Sequence, residues 1–453
     1  MDSKLVGHVL FPLHEWVKGK PTFPWSRRLE KSQWLPPAEL RELQWVALRK
    51  HLDFAYTHVP YYRRLLDEHE VPPWRIRSPE DFQRIPYLTR DRLRSSFEDL
   101  RARVRLPRVT RRTSGGSTGV PAVVMVDMER LGFAEAVRLR AHRWFGLEPG
   151  AREICLWSSP IELTRQDRLR VLRDRLLNSK VLSAFRMSET LMARYGRAIT
   201  RFAPEKMVCY AHAAYVLAMY LRGAGWRPPS SLQAVFTTAE MLFDFQRRTI
   251  QEVFGARVAV EYGARDAGVL ASECPSGRLH IPAEGILLEV DEAGPDGLGE
   301  IVVTNLLSAA MPIIRYRIGD MGELDSSACP CGRTLPCLKR LEGRRIDFLV
   351  TPDGLVMHPQ AVVFILREIH PIQEFQIVQE EVDRLSIRIV PDVGFTEATR
   401  QAILKRVEQV MGPAVRVEVE LTERIEPAPS GKYRFVISKV ADSYLSGALR
   451  AEA

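Results

Sequence analysis

The sequence predicts an α/β protein: a large N-terminal domain whose sheets are covered by helices, followed by a small α+β domain. Three observations point there. The first hundred or so residues, to about 107, carry apolar side chains at helical spacing. From about residue 108, short β-branched runs alternate with helical patterns. Near LEGRRID, residues 341–347, the composition changes into a compact unit of about a hundred residues, which places the expected cut between 342 and 343.

Composition sets the outer limits. The chain has 453 residues, enough for about two to four domains and a large core. Hydrophobic residues at 45% and charged residues at 27% exclude a disordered chain, a collagen-like fibre and a small disulfide scaffold. Lys+Arg 65 against Asp+Glu 56 leaves a modest +9, spread along the chain. No aromatic-plus-basic module argues for nucleic acid, and the surplus suits anionic small molecules such as nucleotides. No segment approaches the ~18 apolar residues of a membrane span, and six cysteines in this length do not suggest a disulfide framework. A soluble, cytoplasmic protein without stable membrane insertion is the expectation, as a monomer or homodimer.

Taken in order, MDSKLVGHVLFPLHEW holds a short apolar run broken by His8, Pro12 and His14, without a signal-peptide cleavage site. ELRELQWVALRKHLDFAYTHV is a helix with Leu43, Val46, Leu48, Leu52 and Ala55 at helical spacing, stopped by Pro60. SPEDFQRI opens another, with Ser78 as N-cap, Pro79 at the first position and Glu80 and Asp81 in the first turn. AVVMV reads as a strand and ERLGFAEAVRLRAHRWFG as an amphipathic helix. RQDRLRVLRDRLLNSK is a basic amphipathic helix of a kind that can lie on membranes, and the simpler reading is a solvated surface helix packed through Leu169, Leu172 and Leu176. KMVCYA, LQAVFTT, ARVAVEYG and GEIVVTNLL are strands. Beyond the cut come DFLVTPDGLVMHP, a helix around 360–369, the strands FQIVQEE and RLSIRIVP, a helix around 396–411 and VRVEVELTERI.

Chemistry concentrates in a few segments. TSGGSTGVP, residues 113–121, combines three glycines with four hydroxyl residues, giving free N–H groups and rotatable O–H donors for a polyphosphate. No lysine follows its last glycine, so it is not a P-loop. EYGARDAG follows a predicted strand and presents Tyr262, Arg265 and Asp266 at the strand end where α/β proteins place ligands. There an aromatic can stack on a base and a carboxylate can hold Mg²⁺. MPIIRYRIGD ends on Asp320, a carboxylate able to accept two ribose hydroxyls, and PAPSGKYRF places Lys432 after Ser430 and Gly431.

In this order TSGGSTGVP, YGARD, YRIGD, GRRID and SGKYRF resemble the core motifs of the adenylate-forming superfamily of acyl-CoA ligases, adenylation domains and luciferases. EKSQWL, AYTHVPYYRRL, SPEDFQRIPYLTRDRLR and IVVTNLLSAAMPIIRYRIGD further resemble the phenylacetate–CoA ligase family and its capsule-biosynthesis relatives, from about residue 28 to 440. The resemblance implies a multi-sheet large domain and a mobile small domain. It implies that Ser114, Gly115, Gly116, Ser117, Thr118 and Gly119 hold the ATP phosphates, Thr118 also taking part in catalysis. Tyr262 lies against adenine, Asp266 binds Mg²⁺, Asp320 binds the ribose with Arg344 nearby, and Thr238, Glu240, Glu261 and Gly263 complete the nucleotide site. Lys432 reaches the α-phosphate and the attacking carboxylate. Tyr210, His212, Trp157 and Phe236 are the acyl-pocket candidates, His212 either meeting the substrate carboxylate or walling the pocket.

The sequence departs from the family pattern in three places. Pro121 is followed by Ala122 rather than lysine, Asp266 replaces the usual glutamate, and GRRID retains only Asp347 of an acidic pair. ECPSGRLH and CPCG supply Cys274, His280, Cys329 and Cys331, four donors suited to a structural tetrahedral Zn²⁺ or, on spacing alone, equally to buried free thiols; similar sets occur in the family. Cys155, Cys209 and Cys337 read as packing residues. The implied activity is ATP- and Mg²⁺-dependent activation of an aryl or arylacetic acid as acyl-AMP, then transfer to coenzyme A. An amine or a carrier-protein thiol is the alternative acceptor, and a non-catalytic nucleotide-binding scaffold is the rival from another class.

Overall fold

The computed structural model describes the chain apart from residues 114–122, 158–166, 185–186, 292, 294–296, 343–348, 354–355, 358–361, 364, 367–368, 370, 426–435 and 441–453. Helices dominate the first hundred residues. The helix Pro37–His58 buries Leu40, Leu48, Leu52 and Ala55, while Leu43 and Val46 face outward. Pro60 does more than stop it. It occupies the first turn of the next helix, Pro60–Glu68, where its missing N–H costs nothing. The Ser78 side chain accepts from the Asp81 N–H and the Asp81 carboxylate from the Ser78 N–H, the expected cap in reciprocal form.

The hairpin β1 (Val109–Thr113) and β2 (Val123–Asp127) pairs Thr113 with Val123, so the glycine-rich TSGGSTGVP segment begins at one strand end and joins the other. The helix Met128–Arg143 that follows is not amphipathic in the expected sense. It buries Arg130, Arg140 and His142 beside Phe133, Ala136 and Val137, because other elements cover most of its circumference. Arg140 Nη1 meets Glu284 at 2.6 Å and also donates to the Leu29 carbonyl, while Ser32 Oγ donates to the same carboxylate. A Cβ on Gly132 would lie 2.6 Å from Pro21, so only glycine lets the preceding chain come this close.

Eleven strands form one mixed sheet in the order β10-β11-β12-β13-β9-β8-β7-β6-β5-β3-β4. They are β3 (Glu153–Trp157), β4 (Ser179–Ser183), β5 (Lys206–Tyr210), β6 (Ala234–Thr238), β7 (Arg257–Ala264), β8 (Gly268–Glu273), β9 (Leu279–His280), β10 (Ile286–Asp291), β11 (Gly299–Asn305), β12 (Ile313–Asp325) and β13 (Cys337–Glu342). Strands β4, β3, β5, β6 and β7 run parallel, joined by helices including Ala211–Gly223 and Asp244–Phe254; β8 to β13 are antiparallel. The central parallel strands β5 and β6 are buried on both faces, as helix-covered strands must be. The basic helix Asp167–Leu176 departs from expectation: Leu172 is 54% and Leu176 43% exposed, so these two leucines do not pack.

The C-terminal unit has its own sheet, β18-β17-β16-β19, preceded by the short pair β14 (Leu349–Val350) and β15 (Val356–Met357). β16 (Ile372–Glu381) and β17 (Arg384–Pro391) form a hairpin. The helix Glu397–Met411 then crosses to β18 (Arg416–Leu421), parallel to β17, and β19 (Val436–Ser438) lies parallel to β16. Of the expected helix around 360–369, residues 362, 363, 365 and 366 are helical, and 360–361, 364 and 367–368 lie outside the described residues.

Candidate active site and metal centre

Strand register places the first group of candidate residues. Tyr210 pairs with Thr238 and Thr238 with Glu261, so β5, β6 and β7 deliver these residues together near their C-terminal ends. That edge is where open parallel sheets bind ligands. Trp157, at the end of β3, stacks on Tyr210 with ring centroids 4.1 Å apart and planes 15° from parallel. Glu240 Oε2 accepts the His212 N–H at 3.0 Å, capping the helix Ala211–Gly223 with negative charge where its dipole favours it. Phe236 points into the interior instead, against His142 and Phe145.

The second group comes from β12. Tyr316, Ile318 and Asp320 are alternate residues on one strand and share a face. Asp320 Oδ2 accepts the Tyr262 hydroxyl at 3.0 Å, and Asp266 Oδ2 accepts the Tyr316 hydroxyl at 2.9 Å. β12 and β7 are four strand spacings apart, about 19 Å in a flat sheet. Two hydrogen bonds across that gap require the antiparallel part to curl over the end of β7. Asn305 of β11 reaches the same turn, donating to the Ala267 carbonyl at 2.8 Å. Gly263 sits at the bulge in the β7–β8 pairing, and a Cβ there would lie 2.7 Å from the Gly268 carbonyl oxygen.

Motif reading missed Tyr316, Arg90 and Arg130. Tyr316 was open to discovery, since it lies two strand positions upstream of Ile318 and four upstream of Asp320. Arg90 was not. The segment before it docks on β12, with Leu88 hydrogen-bonded to Arg315 and Arg317. Arg90 then lies 3.8 Å from Asp266. Arg130 donates to the Arg265 carbonyl, and burial, partly offset by Asp266 and Asp127, brings its guanidinium down to about 10. Asp266 is therefore buried, engaged by Tyr316 and facing a protein cation, an arrangement that does not fit a Mg²⁺ ligand. Arg315, at φ 46° within β12, is held by Glu289 and the Gln83 and Ile85 carbonyls with its guanidinium 4.3 Å over Tyr87.

Glu261 is supported from behind. Arg138 Nε donates to it at 3.3 Å, and this attraction, exceeding the cost of burial, raises the Arg138 guanidinium. Lys206 lies 2.9 Å from His142 Nδ1 and 3.0 Å from Glu153. Burial, then the neighbouring Lys206 and Arg138 charges, holds His142 well below the ordinary histidine range, so it stays neutral. Ser114, Gly115, Gly116, Ser117, Thr118, Gly119, Arg344 and Lys432 lie outside the described residues.

The four metal-ligand candidates do meet. Donor atoms of Cys274, His280, Cys329 and Cys331 all lie within 4.8 Å of one another. The β9–β13 pairing sets His280 opposite Cys337, and the β12–β13 connection brings Cys329 and Cys331 over it. Cys274 and Cys329 sulfurs are 3.7 Å apart, too far for a disulfide and close to the ~3.8 Å edge of a tetrahedron with Zn–S bonds of about 2.3 Å. His280 Nε2 faces Cys331 Sγ at 3.2 Å while Nδ1 faces the Leu335 carbonyl at 3.2 Å. With Nδ1 donating to that carbonyl, the Nε2 lone pair points at the thiols, the usual support for a ligating histidine. The donor set fits zinc. Cys337 is more than packing, since its sulfur also lies 3.2 Å from His280 Nδ1.

Comparison with known proteins agrees with this architecture. Residues 349–439 match the family model of the CapK C-terminal domain. A phenylacetate–coenzyme A ligase of Thermus thermophilus is 29% identical over 392 residues, covering 82% of this chain and 85% of that protein. Protein CapK of Staphylococcus aureus is 22% identical, covering 89% and 90%. Among solved structures, a 2-hydroxyisobutyryl-CoA ligase in complex with 2-HIB-AMP and CoA shares the fold with a TM-score of 0.59 at 22% identity, covering 92% of this chain and 94% of that one. The chain thus has the fold of this acyl-CoA ligase. In sequence it is similar over most of its length to phenylacetate–CoA ligases and to protein CapK.

Proposed function

We propose that the protein is an ATP-dependent, AMP-forming acid–thiol ligase, converting a carboxylic acid to its acyl-AMP with release of pyrophosphate and then to a coenzyme A thioester. The observation that carries this reading is the Tyr262–Asp320 hydrogen bond, which unites the YGARD and YRIGD motifs at the mouth of the parallel strands. Asp320 then accepts the ribose hydroxyls, held in position by the Tyr262 hydroxyl, with adenine against the Tyr262 ring. The stacked Trp157 and Tyr210 beside this edge favour a flat aryl or arylacetic acid.

A carboxylate attacking an anionic phosphate meets charge repulsion, so the site must supply positive charge as the transition state forms. Lys432 supplies it in this reading, and the Ser114–Gly119 loop donors orient the triphosphate. Tyr316 and Arg90 hold Asp266, which keeps the β7–β8 turn in shape. We assign no step to Mg²⁺ at Asp266. A small domain from about 343 that carries Lys432 and moves between the two half-reactions completes the proposal. Cys274, His280, Cys329 and Cys331 would hold a structural Zn²⁺, whose four protein ligands leave no open position for chemistry.

Pyrophosphate exchange into ATP across a panel of carboxylic acids tests the reading, with the best acid retested with coenzyme A and with amines. Exchange followed by a coenzyme A product is expected. Exchange with no such product points to an amine or a carrier-protein thiol, and no exchange with any acid points to a nucleotide-binding scaffold. Lys432→Ala should lower the exchange rate by more than ~100-fold while ATP binding by calorimetry stays within about twofold. Equal loss of both removes Lys432 from the role given to it.

A further inference from the structure

Among the described residues, two helices whose ends are tied through Met1 and Asn178 each carry exposed apolar side chains. On the N-terminal helical run Ser3–Val17, Leu5, Val9, Leu13 and Trp16 recur at helical spacing and are all exposed, Trp16 at 76%. On Asp167–Leu176, Val171, Leu172 and Leu176 are exposed likewise. Among the described residues, eight of the nineteen exposed large hydrophobic side chains fall on these two helices, a concentration that single scattered residues do not give.

The patch is held open by design of the inner face. Val6, Gly7 and Glu15 turn inward, and a Cβ on Gly7 would stand 2.0 Å from the Pro149 carbonyl oxygen. Asn178, just past the second helix, accepts from the Met1 amino group and donates to the Met1 and Gly150 carbonyls. The helices are also electrostatic neighbours, since Arg173 acts on both His14 and Lys18. With the inner faces committed to these contacts, the outer faces cannot turn in to bury their leucines.

Basic residues border the apolar stripe. Lys4 and Arg175 are exposed and Arg173 and Lys18 partly so, while Glu15 is buried against Thr22 and Lys20 and Asp174 pairs with Arg173. Pro12 of the first helix also walls a cleft of about 670 Å³ that contains Arg27, Arg28 and Lys31. A second copy of this chain would bring like charges together across such a face, which opposes self-association. An anionic lipid surface complements both features, taking the apolar side chains below its headgroups and the basic rim at them. We propose that the helices Ser3–Val17 and Asp167–Leu176 form a docking face for an anionic phospholipid bilayer, on which the protein rests without spanning it. No helix among the described residues is long and apolar enough to cross a membrane. The proposal is independent of the ligase reading.

Sedimentation of the full chain with vesicles tests it, using phosphatidylcholine alone and phosphatidylcholine mixed with phosphatidylglycerol. Binding to the mixed vesicles, weakened by salt and much weaker to the neutral ones, is expected. Leu13→Glu/Trp16→Glu should lower partitioning by at least ~tenfold. Arg173→Glu/Arg175→Glu should lower it about fivefold for each basic charge removed. The milder Leu172→Ser should fall between wild type and the double variant, and unchanged melting temperatures verify that the variants fold. No binding to the mixed vesicles, or binding that these substitutions leave unchanged, overturns the proposal. So does a wild-type dimer, seen by light scattering, that ignores vesicles and dissociates in Leu13→Glu/Trp16→Glu.

Discussion

Tyr262 shows how one hydroxyl ties two distant motifs. Its O–H donates to a carboxylate 58 positions along the chain, and hydrogen bonds to charged groups contribute about 1.5–3 kcal/mol. Tyr262→Phe retains the ring proposed to lie against adenine but removes one hydrogen bond that orients Asp320. In the proposed ligase the KM for ATP should rise ~10-fold or more in steady-state assays, with kcat changed far less. A matching fall in kcat at constant KM would move Tyr262 from ribose positioning to chemistry. Asp320 itself was legible from its motif. Its partner was not, because sequence spacing carries no record of which side chains meet when a sheet curls.

At the scale of elements, two junctions hold the large domain together. Arg140 and Glu284 form a buried pair that joins the helix Met128–Arg143 to the loop before β10, with Ser32 attaching the helix Thr22–Ser32. Removing one partner leaves an uncompensated buried charge, so Arg140→Ala should destabilise by about 3–5 kcal/mol in denaturant unfolding. Arg140→Ala/Glu284→Ala should cost less than the two single losses summed, since neither charge is then stranded. The second junction is the Cys/His cluster, which joins the end of β8, β9 and the β12–β13 connection. If it holds zinc, the purified protein contains one equivalent by mass spectrometry. Cys329→Ser/Cys331→Ser should lose that metal and lower the melting temperature, and a metal-free wild type of equal stability would return the four residues to buried thiols. The cluster's four residues could be singled out from sequence, but their convergence needed the β9–β13 register.

For the whole molecule, buried neutral histidines shape the response to acid. His51 is fully interior on the helix Pro37–His58, and burial brings it down to about 4. His142 is held low by burial and by nearby cations. In the unfolded chain both titrate near 6.5, so below that pH the unfolded state binds more protons and stability falls. Stability should therefore be at its full value above pH 6.5 and decline toward pH 4 in denaturant melts, and His51→Gln should flatten part of that slope. An unchanged slope would assign the acid sensitivity to His142 or to other groups. By itself the sequence determined the α/β class, where several of the strands lie along the chain, the small C-terminal unit and which motifs carry Tyr262, Asp266 and Asp320. These are local matters, since periodicity, capping residues and short motifs act within a few turns of chain. Only the tertiary structure decided that β12 curls over β7, that Asp266 faces Tyr316 and Arg90, and that Leu172 and Leu176 stand in solvent. Each of these depends on what lies opposite a residue, and long-range packing sets that across tens or hundreds of intervening positions.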